Sequence, residues 1–529
     1  MTRNLPGIPL PKGARDRMRE EPNAVFGDRI LSPIFEFNCR HNFRPLLQAH
    51  RAWLAMMTEQ GEIPEADSRK LLRALQVIED QGPDAMRPFD RAVEYFYLHM
   101  ERALVGVVEE GESVVGNLNI GRTRPEPLAR IVVRDALLRT LDQVLEIREA
   151  LLKRAGEEAD TVMPGYTHLQ HAQPTTLGHY LVAIHDHLMR DTRRLLAAVD
   201  TTTQCTLGCG AMSGTSANAD RERVRELLGF SSVCENTIDA VSASDHVMEA
   251  AAALGSVMTI AGRLAQDLYI WSSQEFALID VGDSFSSPSS LMPQKKNALV
   301  LEYVRSRTAR TIGEITSVYA VQHNVGYMDT EEVEIEVYRP LVNAFELSDE
   351  ALPTIAEVVR RIIPNRKLMR DRTAWGYSTV TFLAEEIQRF SGLSYRTAHR
   401  VVARAVLLAA ERGIDATGID AGIVDAAATE MLGAGIGMDD RAIARALDPH
   451  TFLEGHTVTG AVAPKETRRM IETRKARLSA DAGLVAAQRD AIERARKMLA
   501  AAVDSILAGR PVRKKGERAR VRAETASVE

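Results

Sequence analysis

The stretch from Asp245 to Glu275 limits the possible folds more than any other part of the chain. It is rich in alanine, contains no proline and is apolar on nearly every side of a helix, most clearly through Ala250–Leu254 and Ile260–Leu268. A helix of roughly 30 residues spans about 45 Å, and a helix that is apolar on most faces must be buried on most faces. We therefore expect it inside a helical bundle, and we expect neighbouring subunits to complete its cover.

A second long helix is predicted after Gln173-Pro174. Leu177, Leu181, Ile184, Leu188 and Leu195 recur there at helical spacing, and Pro174 is well placed for a first helical turn. Apolar residues make up 45% of the chain but aromatic residues only 5%, which favours close helix–helix packing over a sheet. Strand signals are nearly absent, and the short run Ile335–Val337 lies in a helical neighbourhood. The predicted fold class is all-α.

Changes in pattern along the 529 residues predict an elongated central bundle with smaller helical domains at both ends. Polar, Pro- and Gly-containing residues at the start predict an extended arm, and the segments after Pro364 predict shorter helices. The charged C-terminus predicts a disordered tail. The predicted regions are an arm at 1–27, an N-terminal helical domain at 28–125, the central long-helix bundle at 126–365, a small C-terminal helical domain at 366–475, and an added helix with a basic tail at 476–529.

Composition excludes several classes of function. The net charge of −6 is small for this length and the basic residues form no stripe, which argues against a nucleic-acid partner. No apolar signal region and no window of 18 apolar residues occurs, so we expect no membrane segment and a cytoplasmic location. The four cysteines show no CxxC pairing, which indicates reduced thiols; they are Cys39, Cys205, Cys209 and Cys234.

The segment from Ser286 to Asn297 is the strongest indication of chemistry. It combines serines, two prolines, two lysines and an amide without apolar periodicity, between two predicted helices. This composition predicts a mobile loop, and loops on rigid scaffolds often carry catalysis. Composition alone leaves a plain Ser/Pro turn with a solvated lysine pair equally open.

The order of residues in this loop resembles a known signature. Ser289–Asn297 followed by Glu302 is similar to the signature loop of the fumarase/aspartase superfamily, and most similar to the argininosuccinate lyase branch. Further blocks extend the resemblance over about residues 85–475: Gly165–Gln170, Leu207–Thr215, Asn236–Val241, Asp267–Phe276 and Val458–Gly460. The resemblance implies an all-helical homotetramer whose active sites are shared between subunits.

The resemblance also implies a reaction, the anti-elimination of an amine from an N-substituted aspartate to give fumarate. A base must remove a weakly acidic proton beside a carboxylate while an electrostatic cradle stabilises the dianion that forms. The family's base falls on Ser289, which a loop lysine and backbone amides must activate. Lys295 and Asn297 match positions that hold a substrate carboxylate.

The hydroxyl and imidazole beside the leaving group correspond to Thr167 and His168, in a block that ends at Gln170. Glu302 matches the carboxylate that pairs with this histidine and sets its charge. In the first block both family arginines remain, as Arg122 and Arg124. The sequence shows no phosphate loop, metal cluster or nucleotide fingerprint, so the implied chemistry needs no cofactor.

Several positions depart from the family pattern. Pro125 replaces an asparagine that helps to bind the fumarate part, and Pro288 replaces the glycine before the loop serines. Tyr97 stands where a histidine is usual. Proline offers no amide donor, and Pro288 should stiffen the loop.

The segment that binds the arginine part in argininosuccinate lyases is also altered. It corresponds here to Gly326–Glu334, and includes Tyr327. Glu331 and Glu334 occupy the positions of a glutamine and a lysine. A residue suited to a carboxylate has thus become an acid, unless this segment is only a solvent-facing acidic turn.

Three functional hypotheses follow. The first is a carbon–nitrogen lyase with a shifted substrate, another N-substituted aspartate or an aminopolycarboxylic acid. The second is a genuine argininosuccinate lyase of arginine biosynthesis. The third, from another class, is a catalytically silent scaffold like the crystallins of this family. Assays of fumarate consumption with a panel of amines discriminate among them.

Overall fold

The structure is a computed structural model that describes residues 20–123 and 127–510. The expectations for residues 1–19, for the tail from 511 and for Arg124 and Pro125 therefore lie outside the described residues. Within the described ranges the fold is mainly helical, which confirms the all-α prediction.

The first six α-helices of the described chain, which are shorter than the long helices of the central bundle, pack together as an N-terminal unit. Its core contains Trp53, Leu54 and Met56, which are fully buried. A π-helix at Gly27–Leu31 links the first two helices, and 3-10 turns lie at Gly82–Met86 and Gly116–Asn119. The helices are α1 (Ala24–Phe26), α2 (Ser32–His41), α3 (Phe43–Glu59), α4 (Glu65–Gln81), α5 (Phe96–Val105) and α6 (Glu112–Val115).

Five long helices form the central bundle, and two short helices lie between them. The long helices pack side by side over one continuous apolar core built mainly from leucine, valine and alanine. A π-helix at Glu332–Glu336 precedes the last of them. The helices are α7 (Leu128–Glu157), α8 (Leu177–Thr202), α9 (Arg221–Leu228), α10 (Thr237–Ser242), α11 (Asp245–Ser272), α12 (Leu299–Gln322) and α13 (Tyr338–Arg361).

Helix α11 corresponds to the long apolar stretch that first indicated a bundle. It is the one helix among the described residues that is long and apolar enough to cross a membrane by length and composition, and 56% of that window is buried inside the chain. It packs against α7, α8, α12 and α13 of the same chain. One chain thus covers much of this helix, and the cover expected from neighbouring subunits stays a prediction for the remainder.

Helix α12 is a long helix with exposed apolar surface. Tyr303, Ile312 and Tyr319 are 55%, 40% and 39% exposed. Ile312 and Tyr319 lie on one side of the helix together with the small residues Ala309 and Gly313, which are also exposed, whereas Tyr303 lies on the opposite side. A helix of the central bundle thus presents a partly apolar face outward.

The C-terminal unit has its own core, which includes Phe382, Val401 and Phe452. A 3-10 turn lies at Ala416–Gly418. The helices of the C-terminal unit are α14 (Arg366–Trp375), α15 (Val380–Ser391), α16 (Tyr395–Glu411), α17 (Ala421–Leu432), α18 (Asp440–Leu447) and α19 (Pro449–Gly455).

The last helix, α20 (Pro464–Leu507), runs for 44 residues. The domain boundary predicted at 475 falls inside it, so the added helix is the continuation of a helix that begins in the C-terminal unit. Met470 and Val485 join the central core, whereas Leu499 and Ile506 join the N-terminal core. Helix α20 therefore connects all three regions.

One substantial β-hairpin interrupts the helices, contrary to the expectation of almost no strand. It pairs β1 (Val162–Thr167) with β2 (Gln170–Thr176), and it contains the block at Gly165–Gln170. The run Ile335–Val337 is not a strand, as expected. Six further strands have only two residues each: β3 (Gln204–Cys205), β4 (Ser232–Val233), β5 (Ile279–Asp280), β6 (Ser287–Pro288), β7 (Lys296–Asn297) and β8 (Ile363–Pro364).

Candidate active site

The loop from Ser286 to Asn297 lies between α11 and α12. Its base is closed by antiparallel pairing of β6 with β7, in which Pro288 faces Lys296. Lys296 Nζ contacts both carboxylate oxygens of Asp280 at 2.9 Å and lies 2.8 Å from Asp283. We call Lys296, Asp280 and Asp283 the loop-base clamp, because they tie one strand of the loop to the segment that follows α11.

Ser289 directly follows β6, one of the two paired strands that close the loop. Its Oγ accepts hydrogen bonds from the backbone amides of Leu291 and Met292, at 3.3 and 3.0 Å. Leu291 itself is 85% exposed, so the turn faces outward. Two N–H dipoles aimed at one hydroxyl oxygen stabilise negative charge on that oxygen.

Three further predicted site residues lie in the loop or shortly after it. The Lys295 side chain is exposed. Asn297 is half-buried and donates from Nδ2 to the carbonyl of Ser287 at 3.3 Å. Glu302 lies in the first turn of α12 and accepts a hydrogen bond from the Tyr269 hydroxyl at 3.1 Å. That hydrogen bond is the main reason that the pKa of Tyr269 lies above its ordinary value.

Thr167, His168 and Gln170 lie at the tip of the β1–β2 hairpin. Thr167 pairs with Gln170, and His168 and Leu169 both have positive φ, 55° and 60°. This two-residue connection matches the twist of a hairpin. All three side chains are exposed, and within one chain Glu302 contacts Tyr269 instead of His168.

Arg122 lies at the other end of the bundle, beside helix α3. Its Nη1 is 3.3 Å from His50 Nδ1. His50 is fully buried, and burial followed by the charge of Arg122 keeps its pKa well below the ordinary value. A neutral His50 accepts the hydrogen bond and orients the guanidinium. Sequence reasoning missed this residue, since only its burial and its contact across 72 positions single it out.

Gly121 allows the first block to approach the glycine segment at Leu207–Thr215. It has φ +72°, and a Cβ there would lie 2.5 Å from the Thr215 hydroxyl. No other residue type fits both conditions. The two blocks, far apart in sequence, therefore pack against each other beside Arg122.

Glu331 and Glu334 line a cavity of about 160 Å³. Tyr97 and Thr123 line the same cavity, so the structure brings the acidic segment next to the first block. Tyr327 does not line it and is 84% exposed. The cavity is also lined by Arg130 and His246, which sequence reasoning did not single out.

The predicted site residues that the structure describes thus form two groups at opposite ends of α11. The loop follows the C-terminal end of that helix, and the hairpin lies near it through the contact of Tyr166 with Phe276, whose ring centroids are 5.9 Å apart. The cavity lies at the N-terminal end, where His246 lines it. Helix α11 has 28 residues, a length of about 42 Å. One chain alone does not bring the two groups together.

Comparison with known proteins defines the class. The sequence model of a family described as lyase matches residues 36–313. The argininosuccinate lyase of Methanosarcina mazei is 33% identical over 466 residues, which cover 86% of this chain and 91% of the relative. The bundle, the hairpin and the serine loop are therefore those of a helical lyase.

Comparison with solved structures supports the same class of protein. An EDDS lyase variant with bound fumarate matches with a TM-score of 0.82 and 32% identity, covering 92% of this chain and 97% of that chain. A class II fumarase from Schistosoma mansoni shares the fold alone, with a TM-score of 0.64 at 15% identity over 79% of this chain and 90% of that chain. The chain belongs to the fumarase/aspartase superfamily, in the argininosuccinate lyase-like branch, and is a carbon–nitrogen lyase.

Proposed function

We propose that this lyase cleaves N-substituted aspartates into fumarate and an amine by anti-elimination, with Ser289 as the base. The observation that carries the proposal is the pair of backbone amides that donate to Ser289 Oγ at 3.3 and 3.0 Å. A serine hydroxyl is too weak a base without activation. The two backbone amides supply this activation, because they stabilise the Ser289 alkoxide, which accepts the proton from the substrate carbon.

The remaining loop residues form the cradle for the dianion. Lys295 and Asn297 hold a carboxylate of the substrate from the loop side. Arg122 and Arg124 hold the fumarate part from the first block, and His50 keeps the Arg122 guanidinium in place. A cradle of cations and amide donors stabilises the charge that develops as the proton leaves.

The hairpin serves the leaving group. Thr167, His168 and Gln170 lie beside the departing nitrogen, and Glu302 of a different subunit sets the charge of His168. The exposed tip of the hairpin supports this assignment, because all three side chains are available to a neighbouring chain. The imidazole then donates the proton that the amine takes as it departs.

The acidic side of the cavity selects the amine. Glu331 and Glu334 line it, and Tyr327 covers its approach when subunits meet. The family positions that carry a glutamine and a lysine in argininosuccinate lyases are acidic here, so a cationic amine group fits beside them. An EDDS lyase among the similar structures supports an amine other than arginine.

A homotetramer completes the site. The two groups of site residues lie about 42 Å apart along α11, so substrate contacts to both must come from different subunits. The exposed Ile312 and Tyr319 on α12 lie on a face that neighbouring chains would cover. We place this tetramer in the cytoplasm.

An amine panel tests the proposal. The protein is incubated with fumarate and with ammonia, simple diamines, amino acids or arginine, and fumarate absorbance is followed. We expect fumarate to fall with at least one amine and the N-substituted aspartate to appear by mass spectrometry. If no member of the panel consumes fumarate, the protein is better described as a silent scaffold.

The named relatives make argininosuccinate the second candidate substrate. If acids replace the carboxylate-binding positions, argininosuccinate should be a poor substrate, because like charges in a partly desolvated pocket can cost several kcal/mol. The test compares kcat/KM for argininosuccinate with that for the best substrate found, in wild type and in the Glu331→Gln/Glu334→Lys double variant. Efficient wild-type cleavage that the double variant leaves unchanged would identify an ordinary argininosuccinate lyase.

A further inference from the structure

The cavity beside the first block has two chemically different ends. Glu94, Asp329, Glu331 and Glu334 give it acidic walls, whereas Arg130 of α7 and His246 of α11 line it elsewhere. The two basic residues come from helices of the central bundle. Neither Arg130 nor His246 has a role in the proposed reaction.

Arg130 is a buried cation. It is only 5% exposed, and its Nη1 donates to the carbonyl of Thr201 at 2.9 Å. Burial is the largest influence on its pKa and lowers it from the ordinary value, while Asp245 and Asp239 oppose this at longer range. No carboxylate in the described ranges lies within ion-pair distance of the guanidinium. A buried charge without a close counter-ion is costly.

His246 lies one residue inside the N-terminal end of α11. It is also only 5% exposed, and neither of its ring nitrogens has a hydrogen-bond partner among the described residues. Burial, followed by the charge of Arg130, keeps its pKa well below the ordinary value. The imidazole is therefore neutral and retains one N–H donor for a ligand. Buried donors in proteins nearly always have a hydrogen-bond partner, so this N–H is a candidate to bind a ligand in the cavity.

We infer that Arg130 and His246 bind a carboxylate carried by the amine half of the substrate. The inference rests on the proposed function and narrows its substrate class to amines other than arginine that carry both a cation and a carboxylate. The cation lies against the acidic walls, and the carboxylate receives hydrogen bonds from the guanidinium and the imidazole. The position that binds a carboxylate in argininosuccinate lyases is acidic here, so Arg130 and His246 would replace it with a site on other helices.

Matched amine pairs test the inference. Ethylenediamine and diaminopropionate, putrescine and ornithine, and cadaverine and lysine differ within each pair only by one carboxylate. Their addition to fumarate is followed with the full-length protein, and their binding without fumarate is measured by calorimetry. We expect wild type to prefer the carboxylate-bearing member of at least one pair.

Three variants assign the preference to the site. Arg130→Met should lower kcat/KM for the carboxylate-bearing amine about tenfold to a hundredfold and leave its diamine partner and the KM for fumarate unchanged. His246→Phe should act in the same direction. Arg134→Met is the matched control, because Arg134 lies one turn further along α7, is fully buried and donates to the carbonyl of Leu228 without lining the cavity.

The outcomes separate the two proposals. Addition of diamines to fumarate without any preference for a carboxylate, or a preference that Arg130→Met leaves intact, overturns the inference and leaves the lyase proposal standing. A raised KM for fumarate in Arg130→Met would place the carboxylate on the fumarate half and would also overturn it. If no amine of any pair gives turnover or calorimetric binding, both the inference and the lyase proposal are contradicted. Equal effects of Arg130→Met and Arg134→Met would reduce Arg130 to a structural role.

Discussion

At the residue scale, the proposed base is a single oxygen atom, Ser289 Oγ. Ser289 and Ser290 are adjacent, but only Ser289 Oγ accepts the amides of Leu291 and Met292. We predict that Ser289→Ala lowers kcat by about a thousandfold or more, because the loss of a catalytic base costs at least two to four orders of magnitude. The assembled protein should stay folded, as circular dichroism would show.

Ser290→Ala is the matched control and should change kcat little. Steady-state rates of fumarate formation compare the two variants. A crippled Ser290→Ala enzyme beside a nearly normal Ser289→Ala enzyme would show that the register of the loop is misassigned.

The loop-base clamp supplies a second prediction at this scale. Hydrogen bonding to Lys296 lowers the pKa of Asp280, and hydrogen bonding to Asp283 and Asp280 raises the pKa of Lys296. The clamp is thus complete at neutral pH and is lost as pH falls through the lowered pKa of Asp280, below its ordinary 3.8. Lys296→Met should change kcat and KM together by a modest factor, as expected for a residue at the base of a moving loop.

Asp280→Asn should produce part of the effect of Lys296→Met, because Lys296 still contacts Asp283, and the double variant should add nothing to Lys296→Met. Lys295→Met, one residue away, should be far more damaging because it removes the contact to the substrate carboxylate that we propose for Lys295. Kinetics of all four proteins at neutral pH make the comparison. Additive effects of the two clamp variants would mean that the ion pair does not control the loop.

The sequence alone predicted the candidate site residues whose types suit the proposed chemistry. Ser289, Lys295 and His168 lie in blocks whose order is informative. His50, Arg130, His246 and the pairing of Lys296 with Asp280 were not predictable. Their importance depends on burial and on contacts with residues distant in sequence, which an isolated lysine or histidine does not reveal.

At the scale of elements, the long helices were predictable because an apolar period of 3.6 residues, sustained over many turns, is specific to helices. The β1–β2 hairpin was not, since Val162–Thr176 lacks the alternation of a half-buried strand and carries prolines. The full length of α20 was also missed. Its buried residues face the central core and then the N-terminal core, so its apolar pattern changes along the helix.

Helix α20 is fastened to the bundle by a buried ion pair. Arg148 Nη1 contacts Asp481 Oδ2 at 2.8 Å, and both side chains are fully buried. We predict that Asp481→Leu destabilises the protein by about 3–5 kcal/mol, because Arg148 is left as an uncompensated buried charge. Urea unfolding followed by circular dichroism measures the loss.

The control is the double variant Arg148→Met/Asp481→Leu. Replacing both charges with apolar groups of similar size should restore most of the stability, since a buried pair contributes little net free energy compared with an apolar pair. A double variant as unstable as Asp481→Leu would point to a shape defect at this position rather than to an unpaired charge.

At the scale of the whole molecule, one chain holds two separate groups of predicted site residues. We predict a tetramer in light scattering at micromolar concentration, since substrate contacts from both ends of α11 require several chains. Coexpression of Ser289→Ala with Arg122→Met should restore activity to about a quarter of wild type, because some mixed sites then combine both native residues.

The two homogeneous variants serve as controls and should remain inactive. A monomeric mass, or a coexpressed mixture no more active than the sum of its parents, would contradict shared sites. Recovery in the mixture would also show that Arg122 and Ser289 act on the same substrate from different chains.

The position of deuterium in the product tests whether Ser289 is the base of an anti-elimination. Fumarate and the best amine of the panel are incubated with the enzyme in D2O, and the product is analysed by NMR. We expect an N-substituted aspartate with a single deuterium, placed anti to the new C–N bond, and almost no product with Ser289→Ala. Deuterium in both configurations, or the same product from Ser289→Ala, would contradict anti-elimination with Ser289 as the base.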